Sequence, residues 1–165
     1  MNNIKHKYEF TEPKGLNNVA EFHELFELPV LGHPQVPAPE RCALRVSLLQ
    51  EELDELREAI EQKDIVGIAD ALSDLQYVLS GAVLEFGLGS KFSGLFEEVQ
   101  RSNMSKACKT LDEAVLTQQH YLQHKQTNSV IEEKNGEYLV YREEDRKVLK
   151  SIYYSEADLE KVLKS

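Results

Sequence analysis

Two long segments built from helix-forming residues constrain the fold of this chain more than any other feature. The first, Glu40 to Gln62, contains neither proline nor glycine, and the second runs from Ile65 to Phe86. Asp64 is a predicted N-cap for the second segment, and Gly87 is a predicted C′ glycine that ends it. Because only a short turn separates the two segments, the sequence predicts two long antiparallel helices at the centre of the fold.

Shorter helices are predicted on either side of this pair. Residues 29–39 hold four of the five prolines, which indicates an extended connector that leads into the first long helix. The predicted bounds of the shorter helices are Asn17 or Asn18 to Pro29, residues 91–101 after a Ser90 cap, and the capping box Thr110–Glu113 to His124.

The character of the sequence changes near Asn128. The pair Asn135-Gly136 predicts a β-hairpin, because these residues tolerate the positive φ angles of a type I′ turn. Residues 147–154 predict a third strand, and Ser155 is the predicted cap of a terminal helix. The expected fold class is therefore mainly α, a bundle of about four to five helices with a small C-terminal β-hairpin or meander and a terminal helix. The predicted division is an all-α domain over 1–126 and an extension over 127–165.

Composition excludes several classes of function. With 29 Asp and Glu against 19 Lys and Arg, the formal net charge is −10, which disfavours binding to nucleic-acid phosphates or to an anionic membrane surface. No apolar run approaches the roughly 20 residues of a membrane span. Cys42 and Cys108 do not form a disulfide framework, and the first residues have no apolar secretory core. A reducing cytoplasm is the expected location.

The first long helix carries three carboxylates beside an apolar stripe. Glu52 lies about 40° around the helix from Leu56 of that stripe, and Glu55 and Glu51 follow at increasing distance from it. Arg45 shares the edge with Glu52 and is a candidate ion-pair partner. A glutamate-rich helix considered alone would be interpreted as a solvated face, so the second helix decides what these acids do.

The second long helix is apolar nearly all the way round, which predicts that it is buried among neighbours. Asp70, Asp74, Tyr77 and Gly81 nevertheless fall on one stripe of it. A buried carboxylate must be paired, bind a metal or become protonated. Facing acids from two helices make an oxygen-only site that suits Mg²⁺ or Mn²⁺. A di-iron site is disfavoured because the Glu-x-x-His motif is missing from these helices.

These acidic motifs resemble those of the all-α nucleoside triphosphate pyrophosphohydrolases, the superfamily of MazG, phosphoribosyl-ATP pyrophosphohydrolase and the dimeric dUTPases. The matching motifs are EExxE, at Glu51, Glu52 and Glu55, and the acidic pair of DALSDLQYV. EVQRSNMSK also resembles the Asn-x-x-Lys signature of MazG-like members, and the resemblance spans about residues 22–106. The family's second motif is usually Glu-x-x-Asp, whereas here Ala71 stands at the Glu position and Asp70 lies one residue earlier.

The resemblance implies hydrolysis of a nucleoside triphosphate to the monophosphate and pyrophosphate, in house-cleaning or nucleotide-pool control. It implies that Mg²⁺, with Mn²⁺ as a substitute, neutralises the triphosphate and activates the attacking water. Glu52 or Glu55 would accept the proton of that water. It further implies a homodimer or homotetramer. The metal ligands expected are Glu51, Glu52, Glu55, Asp70 and Asp74, and the substrate-binding residues expected are Asn103, Lys106, Arg101 and Tyr77.

The sequence is also consistent with other functions. The chain can also be interpreted as a non-catalytic helical-bundle module that binds another protein, with partly structural acids. Within the enzyme class, the substrate can be a phosphoribosyl-nucleotide or a modified triphosphate, because no motif identifies the base. His23, between Phe22 and Phe26, is expected to be a packed helix residue, and base stacking by residues 26–30 is the functional alternative.

Overall fold

The computed structural model of the protein describes residues 8–165. Over this range the chain forms six helices and one two-stranded antiparallel sheet and is 57% helical, which confirms the mainly α fold class. The predicted absence of an apolar secretory core concerns the first residues of the chain. Most of them lie outside the described residues. The elements are α1 Gly15–Leu25, α2 Pro39–Gln62, α3 Ile65–Glu85, α4 Phe92–Met104, α5 Leu111–Lys125, β1 Ser129–Lys134, β2 Glu137–Arg142 and α6 Leu159–Lys164.

The chain divides into two compact units. The first ends at Ser90 and contains α1, α2 and α3, and the second runs from Lys91 to Ser165. The predicted domain boundary between residues 126 and 127 stays a prediction. None of the helices in the described range is both long and apolar enough to cross a membrane.

Helices α2 and α3 form the predicted antiparallel pair. Lys63 closes α2 in the left-handed conformation, and the Asp64 side chain caps α3 by accepting from the Val66 amide at 3.0 Å. Small residues bring the two helices close together: a Cβ added at Gly67 would lie 3.2 Å from the Ala59 Cβ. Helix α1 packs on α3. It begins at Gly15, so the predicted asparagine caps are wrong; glycine there lets the first turn approach α3 closely.

The proline-rich connector runs along the C-terminal end of α3. The Leu31 amide donates to the Leu84 carbonyl at 3.0 Å, and the Gln35 amide donates to the Phe86 carbonyl at 3.1 Å. Gly87 has a φ of +69°, and a Cβ at this position would lie 1.9 Å from the His33 carbonyl oxygen. Backbone, rather than a movable side chain, fills the space beside this glycine.

We expect Gly87→Ala to destabilise the first unit. The left-handed backbone alone costs a non-glycine residue about 1–3 kcal/mol, and the contact with the His33 backbone adds to this cost. Gly136→Ala is the matched control, because Gly136 also has a positive φ but has open space around its Cβ position. Urea unfolding of both variants should show the larger loss for Gly87→Ala, and equal losses would contradict the close contact with His33.

The prediction that α3 is buried on all sides is wrong within a single chain. Ile65 is 74% exposed and Leu72 is 52% exposed. Helix α2 has a similar uncovered stripe, on which Val46 is 67% exposed and Leu53 is 44% exposed. A hairpin of two long helices with one helix packed on it has too few partners to cover both outer faces.

In the second unit, α5 packs against the β-hairpin of β1 and β2 around a small core of Cys108, Ala114, Val140 and Leu149. Two predicted features are confirmed. The Thr110 hydroxyl accepts from the Glu113 amide at 3.2 Å to cap α5. Asn135 and Gly136 have φ angles of +56° and +80°, as a type I′ turn requires.

Three predicted boundaries in this unit are wrong. The third strand is reduced to one bridge between Tyr141 and Val148, because the chain turns where the Tyr154 amide donates to the Ser151 carbonyl. Ser155 does not cap the terminal helix, since its hydroxyl accepts from Arg101 and Asp158 caps α6 instead. Helix α4 begins at Phe92 without a side-chain cap, so Ser90 is not its N-cap.

Candidate functional site

The five predicted acidic residues lie on the two helices of the central hairpin. Glu51, Glu52 and Glu55 belong to α2, whereas Asp70 and Asp74 belong to α3. Glu52 is half-buried and the other four carboxylates are exposed. The expectation that the aspartates point to a buried side is therefore wrong within one chain, for the same reason that α3 is uncovered.

Glu52 is the centre of these five acids, which together are called the acidic group. Its Oε2 atom is buried and has no hydrogen-bond partner among the described residues. Burial raises the pKa of the Glu52 carboxyl, and the negative charges of Asp74, Glu55, Glu51 and Asp70, in decreasing order of influence, raise it further. The structure thus places the other four predicted acids close enough to Glu52 to influence its carboxyl. It places a half-buried carboxylate among four like charges, an arrangement that a cation relieves.

Arg45 does not neutralise Glu52, so the candidate ion pair is wrong. The Arg45 guanidinium instead pairs with Glu85 near the end of α3, and Arg41 pairs with the same carboxylate. Arg41 Nε donates to Glu85 Oε2 at 3.0 Å. Glu85 is fully buried, and the Arg45 side chain is 8% exposed. Glu85 is not among the residues predicted from the sequence, although a lone acid in an apolar helix segment is itself a signal of a paired buried charge.

The charges of this buried cluster do not balance. Burial alone would raise the pKa of Glu85, but the hydrogen bonds and positive charges of Arg45 and Arg41 outweigh that effect and hold the pKa below its ordinary value. One carboxylate therefore faces two guanidinium groups. A net positive charge remains in this cluster, and Arg45 lies two helical turns along α2 from Glu52.

His23 completes the cluster and is buried, as its predicted packing role requires. Its Nδ1 lies 2.9 Å from the Pro29 carbonyl oxygen. Because a carbonyl only accepts, Nδ1 carries the proton, and in the neutral ring Nε2 is then an acceptor. Arg45 Nη2 lies 3.4 Å from that Nε2 and donates to it.

A cavity of about 260 Å³ opens beside this cluster, within the first unit. Its wall includes Phe22, Tyr77, Leu48 and Arg45. The rings of Phe22 and Tyr77 meet edge to face with centroids 5.7 Å apart. Leu48 precedes Glu52 by one helical turn, and Tyr77 follows Asp74 by about one turn, so the cavity adjoins the acidic group. Tyr77, predicted to bind substrate, therefore lines a cavity of the first unit.

The chemistry of the acidic group suits a hard divalent cation. In the described part of the chain, no three His, Cys, Asp or Glu side chains are already arranged to hold a metal ion. The available donors are nevertheless all carboxylate oxygens, which Mg²⁺ and Mn²⁺ prefer. The buried Oε2 atom of Glu52 has no hydrogen-bond partner among the described residues, so it is available as a metal ligand.

The other predicted substrate-binding residues belong to the second unit, where they contact one another or the C-terminal segment. Lys106 Nζ donates to Asn103 Oδ1 at 2.7 Å. Arg101 forms two hydrogen bonds of 2.8 Å with Glu98 and also donates to the Glu156 carbonyl. The two hydrogen bonds from Arg101 to Glu98, together with one from the Asp158 amide, lower the pKa of Glu98 to about 2. Arg101 thus holds the C-terminal segment against α4.

Comparison with known proteins adds to this geometry. Residues 19–103, slightly more than half of the chain, match the family model of phosphoribosyl-ATP pyrophosphohydrolase. An uncharacterized protein, L479, of Acanthamoeba polyphaga mimivirus is 28% identical over 110 residues, which are 59% of this chain and 42% of that protein. The chain therefore spans less than half the length of that relative. The matched residues include both acidic motifs. This chain therefore belongs to the phosphoribosyl-ATP pyrophosphohydrolase family, which is part of the MazG-like all-α nucleoside triphosphate pyrophosphohydrolase superfamily.

Proposed function

We propose that the protein hydrolyses a nucleoside triphosphate, deoxynucleoside triphosphate or related nucleotide to the monophosphate and pyrophosphate, with Mg²⁺ as cofactor. The observation that carries this proposal is the buried Oε2 atom of Glu52, which has no hydrogen-bond partner among the described residues and lies near four like charges on α2 and α3. A carboxylate oxygen buried only for stability would be paired with a cation, as Glu85 is. Membership of a nucleotide pyrophosphohydrolase family supports the same function.

Each acidic residue has a proposed role in this reaction. Glu51, Glu52, Glu55 and Asp74 would hold Mg²⁺, and Asp70, the weakest influence on Glu52, would replace the missing glutamate of the second motif. Bound Mg²⁺ would neutralise phosphate charge, which is what allows an acidic protein to accept an anionic substrate. Mn²⁺ is the proposed substitute.

The reaction needs one proton acceptor. A water molecule attacks the α-phosphorus, the bond from that phosphorus to the bridging oxygen breaks, and pyrophosphate leaves with the electron pair. Glu52 or Glu55 accepts the proton of the attacking water. Contacts of Asn103, Lys106 and Arg101 with the substrate stay predictions from the sequence.

The proposed setting is control of the nucleotide pool in a reducing cytoplasm. Cys42 and Cys108 are both free thiols, as such a compartment favours. Phosphoribosyl-nucleotides and modified triphosphates are included among the candidate substrates, because the acidic group recognises no base.

A homodimer or homotetramer is the proposed assembly, since the outer faces of α2 and α3 are apolar and uncovered. We expect Val46→Asp to weaken self-association by about 30-fold or more, because a charge would enter the apolar contact. Leu122→Asp is the control, since Leu122 is 53% exposed on α5 of the other unit. Light scattering across a concentration series measures both. A wild-type monomer at all concentrations would contradict the assembly.

Product analysis tests the proposed function. The full chain is incubated with canonical, phosphoribosyl and damaged nucleotides in Mg²⁺ or Mn²⁺, and phosphate and pyrophosphate are quantified separately. We expect pyrophosphate and a monophosphate from at least one nucleotide, and loss of both products in a chelator. The uncovered apolar faces also favour the non-catalytic interaction module. That alternative would be supported by a complete panel without turnover, together with failure to bind Mg²⁺ by calorimetry.

A further inference from the structure

Arg45, which lines the cavity beside the acidic group, has a hydrogen-bond donor without an acceptor among the described residues. Arg45 Nε is buried and has no hydrogen-bond partner among the described residues. Arg45 Nη2 is occupied by Glu85 and His23. A buried guanidinium with an unused N–H group is costly unless an acceptor reaches it. The part of the chain that the structure describes offers none at this position.

Glycine at position 81 preserves the space at this guanidinium. A Cβ added to Gly81 would lie 2.8 Å from Arg45 Nη1 and 3.2 Å from His23 Nε2. Gly81 lines the same cavity as Arg45. The cavity wall thus combines aromatic and aliphatic surface with a cation whose free polar atoms are donors only. A ligand group that enters must be flat or apolar and must present an acceptor.

Arg45 and the acidic group lie along one seam between the two helices. Arg45 precedes Glu52 by seven residues on α2, and Gly81 follows Asp74 by seven residues on α3. Seven residues are two helical turns, so each pair shares a face and is separated by about 10.5 Å. That length is comparable with the span from the α-phosphate of an extended nucleotide to the far edge of its base.

We propose that Arg45 determines which nucleobase the protein accepts, by donating a hydrogen bond to a carbonyl at the base edge farthest from the sugar. This inference rests on the proposed function and deepens it. With the phosphates at the acidic group, the base occupies the cavity beside Phe22 and Tyr77. The group at position 4 of a pyrimidine, or position 6 of a purine, then faces Arg45. An oxo group there accepts from the guanidinium, whereas an amino group would oppose donor to donor.

Two matched pairs of nucleotides test this assignment, because UTP and CTP, like ITP and ATP, differ in an oxo group against an amino group at that edge. Binding to the full chain is measured by calorimetry, with Ca²⁺ in place of Mg²⁺ to slow turnover. We expect the oxo member of each pair to bind about 10–100-fold more tightly. Equal binding within both pairs, or no binding of any of the four, would overturn the role of Arg45.

Two variants separate the role of Arg45 from a general loss of structure. Arg45→Met removes the donor and leaves Glu85 paired with Arg41. Gly81→Ala keeps every charge and displaces the guanidinium. Both should reduce the preference to within about 3-fold, and an unchanged preference in both would overturn the assignment. Arg57→Met, at an exposed arginine of the same helix, should keep the preference.

Failure of this inference differs from failure of the proposed function. Preferential binding of UTP and ITP without pyrophosphate release in Mg²⁺ would support the role of Arg45 and contradict the hydrolytic reaction. Pyrophosphate release with no preference within either pair would contradict the role of Arg45 alone.

Discussion

Glu52→Gln is expected to lower the rate of pyrophosphate release by about 10²–10⁴-fold and to stabilise the metal-free protein at the same time. The two effects have one cause. Glu52 has like charges around it, and its buried Oε2 atom has no hydrogen-bond partner in residues 8–165. The glutamine amide cannot accept the proton of the attacking water and is a weaker metal ligand than the carboxylate. Because it is uncharged, it also removes the repulsion between position 52 and the four neighbouring carboxylates.

The sign of the stability effect follows from the raised pKa of Glu52. A carboxyl with a higher pKa in the folded than in the unfolded state binds protons more readily when folded, so stability falls as pH rises through the interval between the two values. Near neutral pH the ionised group destabilises the fold. We expect Glu52→Gln to raise the free energy of unfolding in a chelator by about 0.5–1 kcal/mol.

Thermal unfolding with and without Mg²⁺ measures both sides of this prediction. Excess Mg²⁺ should stabilise the wild type, by about 2.7 kcal/mol at a concentration 100 times the dissociation constant, and should stabilise Glu52→Gln less. Glu61→Gln is the matched control, since Glu61 is an exposed glutamate of the same helix outside the acidic group. A variant that keeps wild-type turnover, or that loses stability in chelator, would contradict the role given to Glu52.

Glu85→Gln is expected to destabilise the protein by about 3–5 kcal/mol, measured by urea unfolding, because two guanidinium groups would lose their buried counter-charge. Glu160→Gln is the control, since Glu160 forms an exposed pair with Lys164 and should change stability by less than about 1 kcal/mol. The lowered pKa of Glu85 sets the pH dependence. Its contribution is present above the ordinary glutamate pKa of about 4.3 and is lost as pH falls through the lower folded value.

A triple substitution distinguishes uncompensated charge from lost packing. Replacing Glu85, Arg41 and Arg45 together with leucine or methionine should recover much of the stability that Glu85→Gln loses, because no buried charge then lacks a partner. A triple variant that is less stable than Glu85→Gln would show that shape rather than charge dominates at this position.

Local signals in the sequence predicted much of this fold correctly. The Asp64 cap, the capping box at Thr110 and the Asn135-Gly136 turn each depend on a few neighbouring residues, and the structure confirms all three. The predicted grouping of the acids also depended on local spacing, because residues three or four apart on a helix share a face. The structure brings these acids to one place around Glu52.

Features that depend on partners distant in sequence were harder to predict. Arg45 lies on the edge that it shares with Glu52, but its partner is Glu85, 40 residues further along the chain. Helical periodicity identifies a face of α2 without identifying which residue of α3 meets it. Ser155 likewise has the chemistry of a helix cap, yet Arg101 occupies its hydroxyl. The apolar surface of α3 predicted burial, and no pattern within one chain shows what covers it.

The position of the broken bond tests the central claim most directly. The full chain is incubated with Mg²⁺ and a nucleotide that it hydrolyses in the product analysis, in water enriched in oxygen-18. Both products are then analysed by mass spectrometry. Attack at the α-phosphorus predicts one heavy oxygen in the monophosphate and unlabelled pyrophosphate, with neither product formed by Glu52→Gln or Asp74→Asn beyond trace amounts. Label in pyrophosphate, release of single phosphates, or undiminished turnover in both variants would contradict a pyrophosphohydrolase centred on Glu52.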